Sequence, residues 1–145
     1  MKKILFILLA VIMLVGCSQK PSLSGAHEGI LTAAVGWGSE EGPYRTIYVD
    51  FENRMIVTDN SQVREDVPEE VLEKISALFD SYIPVIQKKE DAYWPQTEEY
   101  PAMLQLFGVE VTYGDGTVYS QDGSLAYPDG WDLFTQKLQI ISAEP

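Results

Sequence analysis

Apolar and polar residues alternate along several short segments in the first half of the chain. Residues 46–52 place apolar side chains on one side and polar ones on the other, which predicts a strand with one face in water. Residues 30–35 form a short apolar run and also predict a strand. Asn53 and Arg54 then indicate a tight turn, since asparagine tolerates positive φ, and Met55–Thr58 returns. A three-stranded meander is therefore expected here.

The middle of the chain changes to helical spacing. Apolar residues recur every three or four positions at Leu72, Ile75, Leu78, Phe79, Tyr82 and Ile86. Asp66, Pro68 and two glutamates favour a helix start just before these apolar residues. Pro84 removes a backbone donor and predicts a kink or an end near residues 81–83. Residues 59–65 are polar and predict a linker without regular structure.

The last third predicts a hairpin followed by a second helix. Residues 104–113 alternate and place Phe107, Val109, Val111 and Tyr113 inward. Asp115 and Gly116 are a strong two-residue hairpin signal, and residues 117–120 form the returning strand. A final helix is expected to start near Asp129, where Asp129 and Asp132 have the spacing of a capping box.

The resulting order is β-β-β-α-β-β-α, with a polar, aromatic loop over residues 90–102. Strands grouped between helices predict an α+β fold, in which helices pack on one face of an antiparallel sheet. We expect a single domain over residues 29–145, a length that suffices for one core.

The N-terminus carries a signal of a different kind. Met1-Lys2-Lys3 precedes an apolar run over residues 4–15, and Leu14-Val15-Gly16-Cys17 closes it. These are the parts of a secretory signal, and the ending resembles the lipobox of bacterial lipoproteins. The resemblance implies cleavage before Cys17, a diacylglyceryl thioether on Cys17 and acylation of the new N-terminus.

This resemblance predicts an extracytoplasmic protein that is lipid-anchored to a bacterial cell membrane. Residues 4–15 are too few to span a bilayer, which takes roughly 20 apolar residues. Two or more acyl chains make a stable anchor, whereas one does not. Residues 17–28 would then be the lipidated cysteine and a flexible spacer rich in Ser, Pro and Gly. Because Cys17 is the only cysteine, the mature chain can form no internal disulfide.

The chain is strongly acidic. It has 10 Lys and Arg against 22 Asp and Glu, a formal net charge of −12, and loss of Lys2 and Lys3 with the signal takes the charge to −14. Such a field opposes nucleic acid and anionic lipid head groups. It is compatible with solubility alone or with a cationic partner.

Catalytic and metal-binding patterns are weak. The only histidine, His27, lies in the spacer, so neither a Ser-His-Asp triad nor a histidine-built zinc site is expected. Asp115, Asp122 and Asp129 each precede a glycine at intervals of seven, which is a weak calcium candidate. A hairpin turn, a second turn and a helix cap explain the same three pairs. We expect no cofactor and no enzyme activity.

The C-terminal segment carries a second resemblance. Its features are a strand over 109–113, Asp115-Gly116, a second strand, the stretch 122–128 ending in Tyr127-Pro128, and a helix. This order is similar to a segment of many small exported bacterial lipoproteins that have no assigned activity. The resemblance implies a fold and no catalytic residues.

Aromatic residues are the best candidates for contact with a partner. Tyr93, Trp94 and Tyr100 lie in the proline-broken loop, and Trp37 and Tyr44 follow or precede predicted strands. Tyr and Trp dominate binding hot spots and also stack on sugar rings. The alternative is that these side chains cover an open edge of the core.

The sequence thus predicts a membrane-anchored binding module for an envelope protein or glycan. Two alternatives belong to other classes: a carboxylate-based hydrolase of envelope polymers, and a calcium-dependent structural module. The first requires two acids in an aromatic-lined cleft, and the second requires convergence of three or more aspartates.

Overall fold

The computed structural model describes residues 29–39, 42–87, 105–124 and 127–145. The strands are β1 (Ile30–Ser39), β2 (Arg45–Asp50), β3 (Met55–Thr58), β4 (Gln62–Arg64), β5 (Gln105–Tyr113) and β6 (Val118–Gly123). The helices are α1 (Glu69–Gln87) and α2 (Trp131–Ser142), and a 3-10 turn, Asp59–Ser61, joins β3 to β4. The predicted α+β class with an antiparallel sheet is confirmed.

The sheet is antiparallel throughout, in the order β4-β3-β2-β1-β5-β6. Strand β1 is central and pairs with β2 on one side and β5 on the other. Val35 lies opposite both Ile47 and Val109, so alternate residues of three strands share one face. Because the side-chain period of a strand is 2, this register places the apolar positions of all three strands together.

Both helices pack against that one face. The core joins strand residues such as Val49 and Val111 to helix residues such as Ile75, Phe79 and Leu138, each no more than 1% exposed. The predicted inward residues of β5 are confirmed, since Phe107, Val109, Val111 and Tyr113 are all buried. We call the other side of the sheet the open face, because neither helix packs on it.

Strand β4 corrects the predicted linker over residues 59–65. Ser61 adopts φ 59° and reverses the chain, after which Gln62 pairs with Thr58 and Arg64 with Ile56. A short edge strand needs no apolar alternation, because one of its ladders is unpaired and its side chains reach solvent. The meander of the first half therefore has four strands.

The β2–β3 turn forms where it was predicted, but with a different residue in the left-handed region. Arg54 has φ 52°, and Asn53 instead donates from its backbone and side-chain amides to the Asp50 carboxylate at 2.9 and 2.8 Å. Arg54 exchanges two bonds with Val67, donating from Nε to the Val67 carbonyl and accepting from the Val67 amide. These bonds hold the strained backbone in place.

Helix α1 continues past Pro84. Of the two predicted outcomes, a kink or an end near residues 81–83, the end is therefore wrong. The helix runs to Gln87, with Pro84 on its exposed side and Ile83 and Ile86 2% and 0% exposed. The missing hydrogen bond falls in the last turn. Burial of these two isoleucines, each worth about 1.5–3 kcal/mol, offsets the loss.

Helix α2 begins at Trp131, close to the predicted start, but without the predicted capping box. Gly130 is the N-cap residue, with φ 72°, and no side chain caps the helix. Two tertiary bonds hold this end instead: Tyr82 Oη donates to the Asp129 carbonyl at 2.7 Å, and Tyr127 Oη donates to the Gly38 carbonyl at 2.8 Å.

The β5–β6 turn contains Asp115 and Gly116, as predicted, but has three loop residues rather than two. Gly116 alone has positive φ, 84°, and its amide donates to the Tyr113 carbonyl. Asp115 Oδ1 accepts from the Thr117 amide at 2.8 Å. This is a type I turn followed by a left-handed glycine.

We expect Gly116→Val to lower the free energy of unfolding by about 1–3 kcal/mol, because a β-branched residue is strained at this φ. An added Cβ at 116 meets no atom within 4 Å, so backbone strain is the cause. Gly108→Val is the matched control, since its Cβ also meets no atom within 4 Å and its φ is not left-handed. Equal urea midpoints for Gly116→Val and wild type would contradict this account of the turn.

Candidate functional site

A cleft of about 320 Å³ lies between the β2–β3–β4 side of the sheet and the C-terminal end of α2. Trp37 and Val63 contribute apolar surface, and Arg64 and Asp59 contribute charge. Ser142 is the last residue of α2 and lies on the opposite wall. The full lining is Trp37, Thr46, Ile47, Ile56, Thr58, Asp59, Gln62, Val63, Arg64, Gln139, Ser142 and Ala143.

Arg64 joins the two walls of this cleft. Its Nη1 donates to the Ser142 backbone carbonyl at 2.8 Å, across 78 residues of sequence. The last carbonyls of a helix lack partners within the helix and carry the negative end of its dipole, so a guanidinium is favoured there. Arg64 therefore fixes the width of the cleft at its β4 end.

Asp59 holds the other end of the sheet wall. Its Oδ1 accepts a hydrogen bond from the Thr46 backbone amide, one position beyond the Ile47–Thr58 pair. The carboxylate thus takes the place of a strand partner where the β2–β3 ladder stops. This bond fixes the 3-10 turn, and with it the start of β4.

Ser142 contributes an unusual polar group to the helix wall. Its side chain is 7% exposed, and its Oγ finds no hydrogen-bond partner within the described part of the chain. A buried hydroxyl without a partner costs about 1–3 kcal/mol. The hydroxyl oxygen is closed off from solvent, so it lies behind the wall of the cleft.

Of the aromatic residues predicted for contact, Trp37 is placed in the cleft. It is half-buried, lies opposite Phe107 in the register and packs against the core with part of its surface. Tyr93, Trp94 and Tyr100 lie outside the described residues. Of the predicted contact residues, only Trp37 and Tyr44 are therefore among the described residues. Trp37 lines the cleft, and Tyr44 does not.

Tyr44 lies on the open face, across the glycines of β1. A Cβ at Gly36 would overlap the Tyr44 hydroxyl, and one at Gly38 would lie 2.9 Å from Tyr44 Cα. The two glycines are thus explained by close approach of a ring, which is 43% exposed. Burial, then nearby Tyr127 and Asp122, raise the pKa of Tyr44.

The open face also carries a half-buried carboxylate. Glu110 on β5 lies between Ala34 and Ser120 in the register, and burial raises its pKa. Because the pKa of Glu110 is higher in the folded chain than in the unfolded one, the folded state binds this proton more tightly. Ionisation of Glu110 as the pH rises therefore lowers the stability of the fold. This residue costs stability at neutral pH.

The three aspartates predicted as weak metal ligands are not brought together. Asp115 lies in the β5–β6 turn, Asp122 on β6 and Asp129 just before α2, all exposed. Within the described ranges, no three Asp, Glu, His or Cys side chains are grouped as a metal site. Cys17 lies outside those ranges.

Comparisons with protein-family models, curated proteins and solved structures return no match to this chain. No helix in the described part is both long and apolar enough to cross a bilayer.

The described lining is made of groups that can contact a ligand. Among the described lining residues Asp59 is the only carboxylate, and its Oδ1 is already bonded to the Thr46 amide. The lining combines an aromatic ring, aliphatic side chains and several amides and hydroxyls. Small-molecule sites are typically built in this way, from apolar surface with a few polar groups that fix orientation.

Sequence reasoning named Trp37 as a contact candidate, which stays a prediction, and it missed the other residues that line the cleft. Arg64, Asp59 and Gln62 lie in the segment predicted as a linker, and Ser142 and Gln139 lie in a helix predicted only for packing. No local pattern pairs Arg64 with Ser142. The one local signal was Arg64 itself, which lies in a polar stretch and has no acidic residue three or four positions away.

We expect Arg64→Ala to lower the free energy of unfolding by about 1–2 kcal/mol, because it removes a charge-assisted bond to the α2 terminus. Arg45→Ala removes the same charge from an exposed position on β2 that does not line the cleft, and should change stability by less than about 0.5 kcal/mol. Chemical denaturation of both variants measures the difference. Equal effects would show that Arg64 does not hold the helix.

Proposed function

We propose that this protein is a bacterial lipoprotein, anchored through Cys17 on the extracytoplasmic side of the membrane, which binds an envelope ligand in the cleft. The observation that carries the binding proposal is the cleft itself, where the Trp37 ring and the polar side chains of Gln62, Gln139 and Thr58 line one space. The lipobox-like Leu14-Val15-Gly16-Cys17 supports the anchor.

The absence of catalysis is part of the proposal. Acid–base cleavage of a glycosidic bond takes two carboxyl groups on either side of the bond. The described lining supplies one, Asp59, with one oxygen bonded to a backbone amide. This favours a binding module over the hydrolase alternative.

The short tether between the proposed anchor and the folded domain suits a module that works close to the membrane. Strand β1 begins at Ile30, 13 residues after Cys17. A chain of that length spans at most roughly 45 Å. The ligand would therefore be a component of the envelope within the combined reach of this tether and the domain that it carries.

The anchor is tested by Cys17→Ser. Without the thiol no thioether can form, so we expect the variant to lack the added lipid mass and to appear as soluble protein or uncleaved precursor. Intact mass and membrane fractionation measure both. A mass and a membrane retention equal to those of wild type would exclude lipidation at Cys17.

The cleft is tested by hydrogen–deuterium exchange of the detergent-solubilised full-length protein, with and without a soluble extract of bacterial envelope. We expect slower exchange in residues 55–64 and 138–144, which carry the two walls, because a bound ligand stabilises local structure. Gln139→Trp, which fills the cleft, should abolish the effect.

Gln136→Trp is the matched control, since Gln136 is exposed on the same helix and does not line the cleft. It should keep the protection of the wild type. Protection confined to other segments, or protection that survives in Gln139→Trp, would contradict binding in the cleft.

A further inference from the structure

We propose that the ligand of the cleft is a neutral saccharide, bound as one or two rings of an envelope glycan. This inference rests on the proposed function, because it names the chemical class that the same cleft takes. Four properties of the lining support it: an apolar floor, polar groups of mixed character, balanced charge and a small volume.

The floor of the cleft suits one face of a sugar ring. Trp37 is half-buried and presents part of its indole to the cleft, and Ile47 and Ile56 back it from the buried core. The C–H groups of a pyranose form an apolar face that packs on such a surface. Tryptophan offers a large, rigid contact area at low conformational cost.

The polar groups match hydroxyls, which both donate and accept. Gln62 and Gln139 face the cleft from the strand and the helix, and each amide has two donors and one acceptor oxygen. Thr58 adds a hydroxyl.

The charges of the cleft favour a neutral ligand over an ionic one. Arg64 and Asp59 both line it, one positive and one negative. Arg64 already donates to the Ser142 carbonyl and Asp59 already accepts from the Thr46 amide. The net charge of −12 further disfavours phosphate and other anions.

The volume sets the size of the ligand. At about 320 Å³ the cleft is at the small end of the range for ligand sites, roughly 300–1,000 Å³. It therefore accommodates one or two rings, and the rest of a longer glycan would extend into solvent.

The test is calorimetric titration of the detergent-solubilised full-length protein with four probes. Two are neutral disaccharides, one of N-acetylglucosamine and one of glucose, and two represent other classes, inorganic phosphate and glycylglycine. We expect binding of at least one disaccharide and of neither other probe. Gln139→Ala should weaken that binding about tenfold through loss of its hydrogen bonds, whereas Gln136→Ala should leave it unchanged.

Binding of phosphate or glycylglycine without either disaccharide would overturn the saccharide class, and so would binding of no probe. Disaccharide binding that Gln139→Ala does not weaken would place the sugar elsewhere and overturn the proposal as well. Thermal melting of Gln139→Ala and Gln136→Ala shows whether both fold. The hydrogen–deuterium exchange experiment uses an envelope extract instead of defined sugars. It can therefore support ligand binding in the cleft even when calorimetry excludes a neutral saccharide.

Discussion

The burial of the Trp131 side chain fixes where the C-terminal helix lies, and the cleft depends on that placement. The ring is 1% exposed, and its centroid lies 5.1 Å from that of Phe107 in β5 and 6.3 Å from that of Tyr82 in α1. Truncating a buried aromatic of this kind typically costs about 3–5 kcal/mol. One residue thus ties α2 to both the sheet and the other helix, and this packing outweighs the absence of a side-chain cap at Gly130.

The cleft forms at the end of α2 that is distant from Trp131. Trp131 packs at the start of α2, and the helix then extends about 18 Å to Ser142 at the β4 side of the sheet. There Arg64 adds a hydrogen bond to the Ser142 carbonyl beside the apolar packing of Leu138 and Ile141. Space is left between helix and strands, and Trp37, Gln62 and Gln139 line it. A helix anchored at one end and bridged at the other leaves a cleft without weakening the core.

The layer architecture could be predicted from the sequence because burial imposes a local period. Phe107 and Val109 alternate with polar neighbours, and Ile75 and Phe79 recur at helical spacing, so each segment reports its own structure. Strand β4 could not be predicted, because an edge strand of polar residues has no such period. The cleft was equally inaccessible: the bond from Arg64 to Ser142 joins residues 78 apart, and only the sheet order brings them together. Trp37 could be found, since an aromatic beside two glycines stands out locally.

Occupation of the cleft on living cells is the most direct measure of the central claim. Gln139→Cys and Gln136→Cys are each treated with a small membrane-impermeant maleimide, on intact cells and after purification. Wild type is the blank, since the thioether proposed at Cys17 would leave it no free thiol. The account predicts rapid labelling of position 136 in both settings. It predicts that labelling of position 139 is much slower on cells than in purified protein, because the envelope ligand covers it. Equal rates for position 139 in both settings, or no labelling of position 136 on cells, would contradict an extracytoplasmic module whose cleft holds a ligand.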